Sequence, residues 1–295
     1  MSKILITGGA GLLGRELCRQ LKSAGNEVWV IDNHSRSSGT PDCDFFMLAD
    51  LVDPATYKSL PTDFDYIYHY GAINGTTNFY DKPNEVLSKN FIADIKTFEF
   101  ASTCPNLIRL VYASSSEIPS GEPSPVSEVL DIKINNIHNA RWSYRLAKIT
   151  SENYLANSSL PHVMIRYYNV YGADDGPGHF LPDQIAKMNK GIFEIIGGDE
   201  TRSFCHVEDA MAASIYCAEN SNNVLVNIGS DTEIGIDYAA NVIANALGHA
   251  SVVWKQIPSK AGSTKTRRPD INKLRSIMPH FNPRSFEEGI RQILG

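Results

Sequence analysis

Residues 4–14 of this 295-residue chain read ILITGGAGLLG, an apolar run that stops at a glycine-rich turn and opens directly into a helix-like segment. That order constrains the fold more than any other feature. Gly8 permits the tight turn, Gly11 lets the backbone approach a pyrophosphate, and Gly14 lets helix and strand pack closely. The N-terminus of the helix then offers unpaired N–H groups to the anion. Leu12, Leu13, Leu17 and Leu21 recur at spacings of three and four, which predicts a helix over residues 11 to about 24. Asp32 follows the next apolar run, 28–31. It falls about 20 residues past the glycines, where a carboxylate can hold both ribose hydroxyls of an adenosine. A 2′-phosphate there would meet a like charge, so NAD is expected over NADP. Arg36 stands close enough to host such a phosphate and leaves the alternative open. Leu12, Leu13 and Asn33 border the same expected cofactor surface. Asp50 and Leu51, after the run Phe45–Leu48, are placed at the adenine edge.

Further along, short apolar runs alternate with helix-like stretches. Strands are expected at Lys3–Thr7, Tyr66–His69, 107–113 and 162–168, and helices at Pro83–Ala101 and 142–157. The buried face of Pro83–Ala101 reads as Val86, Phe91, Ile95 and Phe98. Parallel strands need crossover helices, so the expected fold class is α/β, a doubly wound parallel sheet of the Rossmann type. After Gly172 the turn-forming stretch ADDGPGH leaves the sheet. The remainder carries helices at 182–190, 207–219 and Phe286–Leu294 and strands at Glu194–Ile196 and Val224–Ile228. The expected division is a cofactor domain over 1–172, rejoined by the chain around 205–229, and a smaller, mainly substrate-binding domain over 173–295.

A net charge of −6 argues against sequence-independent nucleic-acid binding, which needs clustered Lys and Arg. The five cysteines form no CxxC pair, so neither a disulfide framework nor a metal site is expected. No run approaches the ~18 apolar residues of a membrane helix, and a cytoplasmic protein is the expectation.

Tyr144 and Lys148 lie four residues apart and share one helix face. An ammonium beside a phenol favours phenolate, so the tyrosine is expected to have a lowered pKa and to act as a base toward a sugar hydroxyl. Lys148 can also reach the nicotinamide ribose. Ser114, Ser115, Ser116 and Glu117 follow the run 107–113, at the strand end that faces the ligand crevice of such sheets. Ser116 is expected to hydrogen-bond the reacting hydroxyl, and Ser114 to lie against the cofactor.

The combination of TGGAGLLG, Asp32, SSSE and YRLAK, in that order, resembles the extended short-chain dehydrogenase/reductase family, which includes nucleotide-sugar epimerases, dehydratases and decarboxylases. The resemblance spans the chain. It implies Ser116, Tyr144 and Lys148 as the catalytic set, Gly71 and Ala72 of the HYGA segment against NAD, and Tyr167 near the nicotinamide. It implies Asn169 near a nucleotide-sugar diphosphate, with Arg202 and Arg268 gripping it. Arginine forks match diphosphate oxygens bidentately. The family's serine strand usually continues into Val-Tyr-Gly, whereas here it runs EIPSG over residues 117–121. This points to an altered loop over the sugar.

The implied first step is oxidation of a sugar carbon by bound NAD. The keto group then permits epimerisation, dehydration or loss of carbon dioxide. Epimerase/dehydratase chemistry is the broad expectation. Glu117 makes uronate decarboxylation, with Arg268, the named alternative. A reductase or dehydrogenase that exchanges free cofactor is a rival, as is a non-catalytic cofactor sensor. The resemblance also implies a homodimer through the two long helices.

Overall fold

The computed structural model describes every residue except 37, 120, 121, 135 and 260–262. Its central feature is a seven-stranded sheet. Six strands are labelled β1 (Lys3–Thr7), β2 (Glu27–Asp32), β3 (Phe45–Leu48), β4 (Tyr66–His69), β5 (Arg109–Ser115) and β6 (His162–Tyr167), and the seventh is Val224–Ile228. The spatial order is Val224–Ile228, β6, β5, β4, β1, β2, β3, and every pairing is parallel. Ile4 therefore sits opposite both Val28 and Tyr66. The chain turns one way from β1 to β2 and the other way to β4, and this reversal opens a crevice at the strand C-termini.

Both faces of the sheet are covered, which is why its strands read as nearly continuous apolar runs. Ile4 and Ile6 pack with Leu17 and Leu21 on one face, and Leu5 packs with Phe64, Ile67 and Phe98 on the other. Each such side chain contributes roughly 1.5–3 kcal/mol on full burial. The seventh strand pairs with β6, and the preceding helix Val207–Asn220 packs into the same core, so residues 207–228 return to the large sheet.

A separate apolar core forms from Leu181, Met188, Phe204, Ile236, Ile243, Phe286 and Ile290. Much of it rests on the helix Ile236–Ala246, which the sequence reading passed over. Its buried face is Ile236, Ala239, Ala240, Ile243 and Ala244. The period is helical, but the small alanines give it little contrast. No helix among the described residues is long and apolar enough to cross a membrane.

Two differences from the sequence expectation bear on the site. The strand expected at 107–113 runs from Arg109 to Ser115, so the serines belong to its end rather than to a following loop. The helix Pro83–Ala101 does bury Val86 and Phe98, but Phe91 and Ile95 are only half-buried. Asn90, Asp94 and Thr97 take the inner face instead, because each has a buried hydrogen-bond partner there.

Candidate active site

One cleft of about 640 Å³ runs along the strand C-termini, from the glycine turn to the second core. Its floor is backbone. Gly8 has φ +70°, and a Cβ there would stand 2.6 Å from the amide nitrogen of Gly71. A Cβ on Gly14 would run into the backbone of Gly8 and Gly9, whereas one on Gly11 would meet nothing closer than 3.5 Å. Gly14 and Gly8 thus serve packing and the turn, and Gly11 leaves the helix N-terminus open toward the cleft. Gly9, not singled out in the sequence, is also required, since a Cβ there would overlap Val30.

Asp32, at the end of β2, accepts N–H groups from Ala10 (3.0 Å) and His34 (2.8 Å), which fixes its carboxylate at the lip of the turn. Leu12, Leu13, Asn33, Asp50, Leu51, Gly71 and Ala72 all line the cleft beside it. Arg36 also lines it, with its guanidinium 3.4 Å from the carbonyl oxygen of Pro177 and from Nε2 of His179. A cradle of glycine backbone with a fixed carboxylate at the ribose position fits a nicotinamide dinucleotide.

The reacting end is assembled by β5 and the helix Trp142–Ala156. Tyr144 is 5% exposed, stacks on Phe79 with ring centroids 4.9 Å apart, and faces the cleft with Ser115 near its phenol. Ser115 and the expected Ser116 both line the cleft beside the phenol. Ser116 is buried in the cleft wall next to it, with its N–H donating to the Tyr167 carbonyl at 3.2 Å. Ser114 borders the cleft but donates its hydroxyl to Glu152, which also holds Arg166.

Lys148 lies beneath Tyr144, buried, with Nζ 5.9 Å from the Tyr144 ring centroid, 4.5 Å from that of Tyr112 and 3.8 Å from Asp94 Oδ2. The expected lowering of the phenol pKa is not found in the protein alone. Burial pushes the Tyr144 phenol up, the charge of Asp94 adds to it, and Ser115 only partly opposes them. Burial also pulls Lys148 down, against the charges of Asp94 and Glu152.

Beyond the tyrosine the cleft carries charge. Glu117 accepts from Arg141 at 2.8 Å and from Arg267 at 2.8 Å. Burial opposes ionisation of Glu117, but Arg267 and Arg141 together carry its pKa from 4.5 down to about 2. The two arginines thus favour its ionised form. Arg202 borders the cleft and bonds Glu200 at 2.5 Å, and burial lowers its pKa to about 10.

Arg268 does not line the cleft. Its guanidinium lies 3.3 Å from Glu233 and bonds the Asp231 carbonyl. The arginine in the cleft is Arg267. The segment is extended, with bonds from Ser203 to the Arg267 carbonyl and from Val126 to the Arg268 carbonyl, so successive side chains point to opposite sides. Arg141 and Phe79 were also missed. Arg141 sits three residues before Tyr144, and that spacing was the available signal.

Tyr167 bonds Tyr70 and Ser214, each at 2.8 Å, and lines the cleft. Asn169, with φ +37°, turns into the cleft wall, and its buried Oδ1 has no partner among the described residues. An unsatisfied buried carbonyl of this kind costs ~1–3 kcal/mol, which a ligand donor would relieve. The altered loop after Glu117 continues through Ile118 and Pro119, and its residues 120 and 121 lie outside the described residues.

Comparison with known proteins agrees with this geometry. The model of the NAD dependent epimerase/dehydratase family matches residues 4–229. A UDP-N-acetyl-alpha-D-glucosaminuronate decarboxylase of Bacillus cytotoxicus is 29% identical, over 99% of this chain and 96% of its own. A putative UDP-glucose 4-epimerase of Methanocaldococcus jannaschii is 27% identical, over 99% and 97%. Among solved structures, a UDP-N-acetylglucosamine 4-epimerase of Methanobrevibacter ruminantium superposes with a TM-score of 0.87 at 25% identity, covering 99% of this chain and 97% of that one. The chain belongs to the NAD dependent epimerase/dehydratase family and is an NAD-dependent enzyme of the extended short-chain dehydrogenase/reductase type.

Proposed function

We propose that this enzyme oxidises a nucleotide-linked sugar to a transient keto-sugar, and that the sugar is a uronate which then loses carbon dioxide. NAD, when bound, accepts the hydride and returns it. Tyr144 takes the proton of the reacting hydroxyl, with Ser115 and Ser116 beside it. Lys148 supplies the positive charge beneath the phenol. Arg202 and Asn169 face the diphosphate end.

The observation that carries the decarboxylation reading is the Arg141–Glu117–Arg267 cluster. Two guanidiniums converge on one carboxylate, which leaves a net positive charge beside the sugar subsite. A uronate carboxylate is held there by charge-assisted hydrogen bonds. A keto group two bonds away makes that carboxylate labile, since the electron pair released with carbon dioxide passes into an enolate, which takes a proton from water at the carbon that lost the carboxylate before the ketone is reduced again. Glu117, paired with two arginines, is disposed to stay ionised, which favours decarboxylation over a dehydration that would need it as an acid.

Epimerisation is the second reading. It is supported by the epimerase relative and by the epimerase with the same fold. Incubation with UDP-glucuronate, UDP-N-acetylglucosaminuronate, UDP-glucose and UDP-N-acetylglucosamine, followed by product mass, separates the two. Loss of carbon dioxide from a uronate without accumulation of NADH is the expected result. An isomer of unchanged mass from a neutral sugar, with both uronates inert, would overturn decarboxylation in favour of epimerisation.

A further inference from the structure

Beneath Tyr144 and Lys148 lies a set of buried polar groups that the proposed reaction does not itself use. Asp94, on the helix Pro83–Ala101, is 0% exposed. Its Oδ1 is 2.7 Å from Nε2 of His69, and its Oδ2 accepts the Tyr112 hydroxyl at 2.6 Å and stands 3.8 Å from Lys148 Nζ. His69 Nδ1 is 2.6 Å from Thr7 Oγ1, which accepts the Gly71 N–H at 3.3 Å. Thr7, His69, Tyr112 and Lys148 are each no more than 1% exposed.

A neutral His69 with its proton on Nε2 satisfies this chain throughout. Gly71 donates to Thr7, Thr7 to Nδ1, and Nε2–H to Asp94. Every donor then points toward Asp94, which is the pattern of an ionised carboxylate. Burial opposes that charge, but Lys148, His69 and Tyr112 together hold Asp94 below the ordinary carboxylate range.

We propose that Asp94 is the buried counter-ion of Lys148, a positioning residue that keeps the ammonium charged under Tyr144 and ties it, through His69 and Thr7, to the Gly71 wall of the cofactor cleft. This rests on the reading of Tyr144 and Lys148 as the base. The other ionisable groups facing the pair are Glu152 and Tyr144 on the lysine's own helix, His69 on β4, Tyr112 on β5 and Tyr57 across from Thr97, with Glu117 farther out. Asp94 is the anion in contact with the ammonium.

A negative charge raises the pKa of every group near it. Removing it by Asp94→Asn, which keeps the shape and the acceptor oxygen, lowers both Lys148 and Tyr144. Both limbs of the pH–rate profile should move toward acid, and Lys148 should titrate about one pH unit or more lower.

The test is ζ-¹⁵N NMR of the full-length, NAD-loaded protein, with Lys148→Met identifying the resonance. A lower Lys148 titration in Asp94→Asn is the expected result, and an unchanged one overturns the proposal. If Asp94→Asn does not fold, the double variant Asp94→Asn/Lys148→Met decides. Recovered folding is expected, because the stranded cation is gone, and failure equal to that of the single variant overturns the proposal. Turnover of UDP-N-acetylglucosaminuronate that survives Lys148→Met would overturn the reading of the base. Lost turnover with an unmoved titration overturns the Asp94 assignment alone.

Discussion

The two ends of the cleft are built in opposite ways. The heart of the cofactor end, the turn of Gly8, Gly11 and Gly14 with Asp32, lies within the first 32 residues and is formed by β1, β2 and the helix between them, while Leu51 and Gly71 add only its walls. The sugar end is made of charged side chains brought from far apart. Glu117 and Arg267 are 150 positions apart and meet at 2.8 Å, and Arg141 joins them from a third segment. A site written in one turn tolerates little change in shape. A site written in distant charges tolerates changes of shape but depends on its shared partner, because removing Glu117 leaves two buried guanidiniums uncompensated, whereas removing one arginine leaves the other paired with it.

Removal of the phenol tests the shared chemistry at its centre. Tyr144→Phe should lower turnover by about a hundredfold or more while NAD affinity, followed by fluorescence titration, stays within about threefold. Retained turnover would break the assignment of the base.

The next largest effect separates two adjacent arginines. Arg267→Ala should destabilise the fold by about 1.5–3 kcal/mol, read by denaturant unfolding, because it removes one of the two charge-assisted bonds to Glu117 and leaves only that from Arg141. It should also weaken uronate turnover far more than neutral-sugar binding. Arg268→Ala, whose partner Glu233 is more accessible, should cost about 0.2–1 kcal/mol. Equal effects of the two would erase the distinction drawn from the alternation of the strand.

The acid limb of stability sharpens the same contrast. Glu117 is depressed in the folded state from 4.5 to about 2. Its contribution is therefore present above pH 4.5 and is lost as pH falls from there toward 2. In Glu117→Gln that part of the pH dependence should flatten, as measured by the urea midpoint against pH.

At the cofactor end the expected changes are steric. Gly14→Ala should cost about 1–3 kcal/mol, because its Cβ meets backbone and not a side chain that can swing away. Arg36→Ala should have the smallest effect. With the guanidinium engaged by Pro177 and His179, the preference for NAD over NADP should change by less than about threefold. Calorimetric titration with both cofactors measures it.

The same difference explains what could be read from the chain. The glycine turn, the strands Phe45–Leu48, Tyr66–His69 and Val224–Ile228, and the helix Pro83–Ala101 are local patterns, and their bounds were legible. The inner face of that helix was not, because Asn90 finds its partner in the backbone of Ile73, and Asp94 in His69 and Tyr112, only once the sheet is assembled. The end of β5 was legible only in part, because the strand runs two residues farther than its apolar run and brings Ser115 to the cleft beside the expected Ser116. Arg267 was mistaken for Arg268 because the choice depends on the register of an extended segment against Val126 and Ser203, which nothing local encodes.

The most direct test of the account follows the hydrogen that is oxidised. UDP-glucuronate and UDP-N-acetylglucosaminuronate deuterated at C4 of the sugar should each be incubated with the NAD-loaded enzyme in the presence of excess unlabelled NADH. Of whichever uronate reacts, the account predicts a product that has lost carbon dioxide and kept its deuterium. Deuterium appearing in the free cofactor pool, or a product that carries hydrogen at C4, would contradict a hydride returned within one turnover.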